Sequence, residues 1–348
     1  MRQINLEKID LLLLFSLDEK PDTNLIYLTG YKGIGILAVM KKKSVLVVPE
    51  MEYEKAKKTP GVMVVAAEKK RRMLETLCTL LKTYKVLHIG IDESRVSVSL
   101  FRRLKKSIPG RYVDFSRSLG MTRMKKDEDE YFCIKKACNV TDLIFADICN
   151  NFNFKEENDI RKYIEQEAAK RDCDLAFPPI VASDKASSQP HYAGSSKIKK
   201  GFLLLDFGTR YKGYCADMTR MLYLGTPSEK ELSDYALVNH VVDECEKASL
   251  TKKRYSELYA LSLQILGKKA KYFTHGLGHG LGLDIHEAPS LVEEDKNSIE
   301  EDIPFTIEPG IYFPNRYGIR IEDTVIIKKG HLEVLTRSSK KLKIIDNK

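Results

Sequence analysis

The stretch Phe202–Leu224, FLLLDFGTRYKGYCADMTRMLYL, is two apolar runs joined by a polar turn, and each run carries an aspartate close to that turn. Apolar and aromatic residues on both sides of Arg210-Tyr211-Lys212-Gly213 read as an antiparallel hairpin. With the turn centred between Tyr211 and Lys212, Asp206 and Asp217 fall directly opposite each other and point to one face. Acids are uncommon on buried strands because an unpaired carboxylate in a low-dielectric site is costly.

The arithmetic repeats further on. Phe305–Glu308 and Ile319–Ile327 read as strands around Pro314-Asn315-Arg316-Tyr317-Gly318, and centring that turn on Asn315 brings Glu308 opposite Glu322. Like charges directly opposed, about 5 Å apart, destabilise a sheet unless something positive lies between them. A multivalent cation meets that need. Strand parity agrees, with Arg320, Glu322 and Thr324 on one face and Ile319, Ile321, Val325 and Ile327 on the other. The plainer reading, two polar strand faces turned to solvent, accounts for either pair alone but weakens when both occur together.

Between the hairpins lies Thr274-His-Gly-Leu-Gly-His-Gly-Leu-Gly-Leu-Asp-Ile-His-Glu287, which gathers His275, His279 and His286, three of the seven histidines, in a glycine-rich segment. Neutral imidazole is a common metal ligand, and glycine lets backbone come close to a ligand.

Outward from this centre the periodicity becomes helical. Cys133, Ala137, Val140, Ile144 and Ile148 form one stripe of a long helix. A second helix starts at Asn158 or Asp159, and a third is announced by the capping-box pair Ser228 and Glu231. A fourth, Tyr255–Leu266, is closed by Gly267. Helices followed by hairpin-spaced strands predict an α+β domain built on an antiparallel sheet. The first third of the chain reads differently. Asn24–Thr29, Ile34–Val39, Val45–Val48, Val62–Ala66 and Val86–Ile91 read as strands around a helical stretch Arg71–Leu81, giving a smaller α/β domain with no clustered chemistry. A boundary near 119–123 separates residues 1–120 from 121–348.

A chain of 348 residues is long enough for two domains, each with its own core. The apolar run Leu11–Phe15 is far too short for a membrane span, and seven cysteines without paired spacing argue for a reducing compartment. A cytoplasmic protein that engages no membrane is expected. The net charge of +9 is concentrated in Lys41–Lys43, Lys69–Arg72 and Arg102–Lys106. Without interleaved aromatics these runs read as solvated turns and helix faces, so nucleic acid is not an expected partner.

The motifs D-F-G-x5-Y-x2-D-M-T-R (Asp206–Arg220), H-G-L-G-H-G-L-G-L-D-I-H-E (His275–Glu287), I-E-P-G-I-Y (Ile307–Tyr312) and R-I-E-D-T-V (Arg320–Val325) resemble the pita-bread family that includes prolidase, aminopeptidase P, methionine aminopeptidase and creatinase. N-x2-Y-L-T-G at Asn24–Gly30 is similar to the amino-terminal domain of the prolidase and aminopeptidase P branch. The resemblance implies a pita-bread catalytic domain behind a creatinase-like amino-terminal domain. It also implies five ligands, Asp206, Asp217, His279, Glu308 and Glu322, around two divalent ions. Asp217 and Glu322 would bridge them, with Asp206 on one ion and His279 and Glu308 on the other. Oxygen-rich ligation with a single imidazole suits Mn²⁺ or Co²⁺, with Fe²⁺ or Zn²⁺ as alternatives. A metal pair of this kind activates water for amide hydrolysis. By the same resemblance His191 and His286 bind substrate and stabilise the tetrahedral intermediate, His275 assists nearby, and Glu308 also relays a proton. Arg320 and Thr219 would support the ligand carboxylates.

The activity so implied is that of a metallopeptidase, an Xaa-Pro dipeptidase or aminopeptidase, acting on short proline-containing peptides as a homodimer. Its rivals are a creatinase-like hydrolase, which uses the fold without the metal pair, and a catalytically inactive peptide-binding relative. The intact set of five ligand positions speaks against both. Two departures from the family pattern bear on specificity. Ser183-Asp184-Lys185-Ala186 replaces the S-G-x-N found in relatives, and Ser290 stands where many prolidases place an arginine to meet the carboxylate of a dipeptide.

Overall fold

The computed structural model describes residues 1–17 and 21–345, and the chain divides into two units, Met1–Arg123 and Met124–Lys348. In the first unit six strands, β1 (Leu11–Ser16), β2 (Gly35–Met40), β3 (Lys43–Pro49), β4 (Met63–Ala67), β5 (His88–Ile91) and β6 (Arg111–Asp114), form one mixed sheet in the order β4-β3-β2-β1-β5-β6. The run that begins at Leu11, notable in sequence only as too short for a membrane, is the interior strand β1, antiparallel to β2 and parallel to β5. Leu11 and Leu13 enter one apolar core and Leu12 and Leu14 another. A strand covered on both faces loses its polar alternation.

One expected strand is a helix. Thr23–Thr29 is helical because Asp22 caps it, its carboxylate accepting from the Leu25 N–H, and Gly30 at φ 74° closes it with an N–H donated to the Ile26 carbonyl. The three basic runs are exposed on a hairpin turn, a 3-10 turn and the helix Val98–Ser107, apart from the buried Leu104.

In the second unit the strands Gly201–Asp206 and Thr219–Leu224 pair antiparallel and are covered by helices on both sides. Leu203, Leu205 and Leu222 pack on Val140, Ile144, Ile160 and Ile164 from the helices Glu128–Asn150 and Glu157–Ala169. Phe202, Leu204 and Met221 pack on Val238, Val242 and Leu258 from Glu229–Ala248 and Tyr255–Leu266. This is the antiparallel sheet flanked by helices, with one exception, since Leu222–Leu224 also pairs parallel to Lys343–Ile345. Ser228 and Glu231 form the expected capping box. The second helix instead begins at Glu157, capped by Glu156, with Asp159 reaching back to the Glu156 N–H. Among the described residues no helix is long and apolar enough to cross a membrane.

The first hairpin differs from its expected register. Lys212 and Gly213, at φ 49° and 99°, are the two central turn residues, so Tyr211 pairs with Tyr214 and Asp206 with Thr219 rather than with Asp217. Positive φ at both positions is what a two-residue hairpin turn requires, and it moves the turn centre one residue along the chain. The pairing therefore shifts by two residues, and an even shift leaves both aspartates on the expected face. The second hairpin has Asn315 at its centre, and the same register runs from Phe313–Tyr317 through Gly310–Arg320 to Ile307–Asp323. Glu308 and Glu322 thus face each other. The strands break there, at Pro309 and at Ile321–Glu322, because proline has no N–H for the ladder.

Candidate active site

The site lies where strands end. Asp206 closes Gly201–Asp206, Glu308 follows Phe305–Ile307, Glu322 sits between Tyr317–Arg320 and Asp323–Lys328, and His279 opens the two-residue strand His279–Gly280. Strand ends let side chains converge without breaking ladder hydrogen bonds. His191, Asp206, Asp217, His275, His279, His286, Glu308, Arg320 and Glu322 line one cavity of about 440 Å³, whose apolar wall includes Phe177, Ile180, Ile285 and Val292. Thr219, fully buried, stands behind it.

His279 Nδ1 donates to the Gly280 carbonyl at 3.0 Å, which turns Nε2 into the cavity, 3.5 Å from Asp217 Oδ2 and 3.4 Å from Glu308 Oε1. Asp217, His279 and Glu322 bring donor atoms within 4.8 Å of one another. Asp206 and Glu308 flank this trio, Asp206 held by Arg320 Nη2 at 2.5 Å. Arg320 Nε donates to Thr219 Oγ1 at 3.1 Å, and Thr219 donates to Glu322 Oε2 at 2.7 Å. One arginine thereby fixes two of the acids, one of them through a hydroxyl.

Three carboxylate oxygens, Asp206 Oδ1, Asp217 Oδ1 and Glu322 Oε1, are buried with no hydrogen-bond donor among the described residues. Buried acceptors are normally satisfied, and a group left open costs its desolvation. The electrostatics register the same deficit of positive charge. Burial pushes Asp206 up to about 6 despite Arg320, and Glu308 up to about 7 despite His279 and Arg320. Burial and the neighbouring carboxylates push Glu322 well above the usual carboxylate range. For His279 burial works downward, but Asp217 and Glu308 outweigh it and hold the imidazole up to about 9. Open, buried oxygen acceptors beside one imidazole nitrogen, whose proton a cation would displace, fit divalent cations.

The remaining histidines divide. His191 and His286 are exposed on the cavity wall, and the His286 ring meets His279 edge-on at 4.4 Å between centroids. His275 is committed on both nitrogens, Nδ1 to the Gly276 carbonyl and Nε2 to the Tyr312 hydroxyl, each at 2.8 Å. Burial and Arg320 depress its pKa to about 4. In the structure it links the Gly276 carbonyl to the Tyr312 hydroxyl through a neutral ring. Tyr312, which sequence reasoning passed over, links it to Arg320 Nη1 at 2.7 Å. The signal was available, since Tyr312 shares the strand parity of Glu308. Thr306, also missed, accepts from the His279 N–H at 3.1 Å.

Residues 133–329 match the sequence model of metallopeptidase family M24, and residues 2–125 that of the creatinase/prolidase N-terminal domain. An Xaa-Pro dipeptidase of Pyrococcus furiosus is 32% identical over 92% of this chain and 92% of its own length. The structure of an X-Pro aminopeptidase from Thermotoga maritima superposes with a TM-score of 0.87 at 27% identity, covering 97% of this chain and 98% of that one. An Xaa-Pro dipeptidase from Bacillus anthracis gives 0.88 at 29% identity, covering 97% and 95%.

Proposed function

Since this chain belongs to metallopeptidase family M24, we propose that it hydrolyses Xaa-Pro bonds in short peptides with two divalent cations, Mn²⁺ or Co²⁺, held by Asp206, Asp217, His279, Glu308 and Glu322. The observation that carries this reading is the set of three buried, unsatisfied carboxylate oxygens close to His279 Nε2. The bound pair would supply an activated water and a Lewis acid for the scissile carbonyl.

The chain's own residues do the rest. Phe177, Ile180, Ile285 and Val292 offer an apolar wall to a proline ring, whose nitrogen carries no hydrogen for ordinary peptide recognition. His191 and His286, both on the cavity wall, would each offer an imidazole N–H to an oxygen gaining charge. Burial and His279 hold the His286 pKa down, which keeps that ring neutral and able to donate. Glu308 faces the cavity 3.4 Å from His279 Nε2 and carries the proton to the departing proline nitrogen.

Chain length of the substrate follows from the cations on offer. Apart from its histidines, the cavity has one basic side chain among its described lining residues, Arg320, and that guanidinium is bonded to Asp206, Thr219 and Tyr312. Ser290 lines the wall in place of an arginine. A carboxylate directly after proline therefore gains nothing in this unit, and Xaa-Pro-Xaa tripeptides are expected to be cut at least as well as Xaa-Pro dipeptides.

The test is hydrolysis of Ala-Pro, Ala-Pro-Ala and Ala-Ala by protein stripped of metal and reloaded with Mn²⁺ or Co²⁺, with metal content measured in parallel. About two ions per chain and a strong preference for the proline bond are expected. Full turnover by the stripped protein would overturn the reading. A marked preference for Ala-Pro over Ala-Pro-Ala would make the enzyme a dipeptidase with its carboxylate clamp elsewhere.

A further inference from the structure

The loop from Leu281 to His286 carries a cavity residue whose ring is not tied down. Among the described residues the His286 side chain makes no hydrogen bond, only an edge-on ring contact with His279, so its position depends largely on its backbone. The next residue, Glu287, is buried in the opposite direction. Its side chain and that of Lys126 are each 2% exposed, and Lys126 Nζ lies 2.9 Å from Glu287 Oε2. The other carboxylate oxygen accepts the Asp284 N–H at 3.1 Å. A Cβ added at Gly282 would come within 2.7 Å of Glu287 Oε2, so the carboxylate is seated directly on the loop backbone. The loop is also held at Gly282, whose carbonyl accepts from Cys215 N at 2.8 Å.

The cation is equally well anchored. Lys126 Nζ also donates to the Met124 carbonyl at 3.1 Å, and its N–H to the Asp302 carbonyl at 2.7 Å. Asp127, the next residue, caps the helix Glu128–Asn150. A buried ion pair is a poor device for stability alone, because desolvation offsets most of its attraction and well-packed apolar residues usually serve as well. This pair joins a helix start to the loop that carries His286.

We propose that the Lys126–Glu287 ion pair positions His286 for the reaction, Lys126 acting through Glu287 and the backbone of the loop. The inference rests on the reading of His286 as a group that contacts substrate. None of the five ligand positions lies in this loop, so the pair governs turnover and leaves metal occupancy alone.

The experiment uses the full-length, Mn²⁺-loaded enzyme and compares the pair variant Lys126→Met/Glu287→Leu in the parent and in a His286→Ala background, with melting temperature, bound Mn²⁺ and kcat as readouts. The pair variant is expected to keep the parent's metal content and a melting temperature at or above the parent's. Its kcat should fall about 10- to 100-fold, the range for groups that orient reacting side chains. With His286 already removed, the same two changes should alter kcat by less than roughly two-fold, because interactions serving one group are not additive. An equal loss in both backgrounds, or no loss in either, overturns the proposal. Unchanged kcat in His286→Ala alone overturns the role given to His286, a separate failure. If the pair variant does not fold, Glu287→Gln, which keeps the shape and removes the charge, is read by the same criteria.

Discussion

Two buried clusters of charge lie back to back on the same strands, and they are built on opposite principles. Thr219 and Arg220 are consecutive, as are Glu322 and Asp323, and alternation sends one of each couple to either side. On the site side four acids share one arginine and one imidazole, and three oxygens stay open. On the other side Arg220 Nη2 donates to Asp323 Oδ1 at 2.6 Å, Lys340 Nζ reaches Asp323 Oδ2 at 3.1 Å and Glu246 Oε1 at 2.8 Å, and Thr336 adds a hydroxyl at 2.7 Å. Burial raises the pKa of Asp323, but Arg220 and Lys340 outweigh it and hold it below the usual range, whereas its neighbour Glu322 sits far above. Where charge serves the fold, the chain supplies its own cations. In the cavity, the chain leaves acceptors unsatisfied.

The sharpest way to break the comparison is to remove one acid from the site. Glu322→Gln should lose metal and reduce turnover by more than the about 10- to 100-fold typical of groups that merely support a ligand. Its metal-free form should melt higher than metal-free parent, since the parent must take up a proton to bury this carboxyl beside its neighbours and the amide need not. Metal analysis and thermal melts check both halves, and a metal-free form that melts lower would mean Glu322 is structural.

The opposite side should respond in reverse. Arg220→Met strands Asp323 without its main partner, and breaking a buried pair from one side costs about 3–5 kcal/mol. Denaturant unfolding should show that loss while the surviving folded fraction keeps its metal and its turnover per site. Loss of metal without loss of stability would show that the two clusters are one.

A third prediction uses pH. Asp206 at about 6, Glu308 at about 7 and His279 at about 9 all hold protons in the folded, metal-free state at pH values where the unfolded chain has released them. A state that binds more protons is weakened as pH rises, but His275, held down to about 4, works the other way below about pH 6.5, so metal-free protein should lose stability most steeply between about pH 6.5 and pH 9. Each unit of upward shift is worth about 1.4 kcal/mol, or some 3–6 °C in melting temperature for a domain of this size. Asp323, shifted downward, gives its stability above the ordinary carboxylate range and does not contribute to this slope. Saturating Mn²⁺ should flatten the part of the profile these groups set, leaving that of Glu246, which burial pushes up to about 7 in the other cluster, and a metal-free profile already flat would show that the site acids take up no protons on folding.

This division was half legible in the sequence. The site side could be read because hairpin arithmetic is local: Asn315 fixes Glu308 against Glu322, and even the misplaced turn at Lys212-Gly213 slipped the pairing by two residues and spared the face. Asn24–Thr29 was misread because a short run of apolar and β-favouring residues is ambiguous by periodicity, and the Asp22 cap went unweighed. The compensating side was not legible. Arg220 finds Asp323 and Ser338 more than a hundred residues away, and Lys126 finds Glu287 at 161, and no spacing rule says which cation meets which acid over such distances.

Thr219 stands where the two principles meet, and it allows the finest test. Its hydroxyl accepts from Arg320 Nε and donates to Glu322 Oε2, while the carbonyl of the same residue accepts from Arg220 Nη1 at 3.0 Å. The carbonyl therefore serves the structural cluster and also holds the Glu322 backbone N–H at 3.1 Å, while the hydroxyl alone orients the Glu322 side chain. Thr219→Val keeps the volume of a fully buried residue and deletes only the hydroxyl. Glu322 then loses the donor that orients it, and metal affinity should fall about 10-fold, the lower end for a group supporting a ligand. The Arg220–Asp323 cluster is untouched, because the carbonyl remains, so the loss should show in Mn²⁺ titration and hardly at all in the metal-free melting temperature beyond the cost of one unsatisfied Arg320 donor. Thr219→Ser, which restores the hydroxyl and loses a methyl, should do the reverse, binding metal as the parent does and melting slightly lower. If valine and serine behave alike, the hydroxyl orients nothing, and the boundary between the two clusters lies at Arg320 instead.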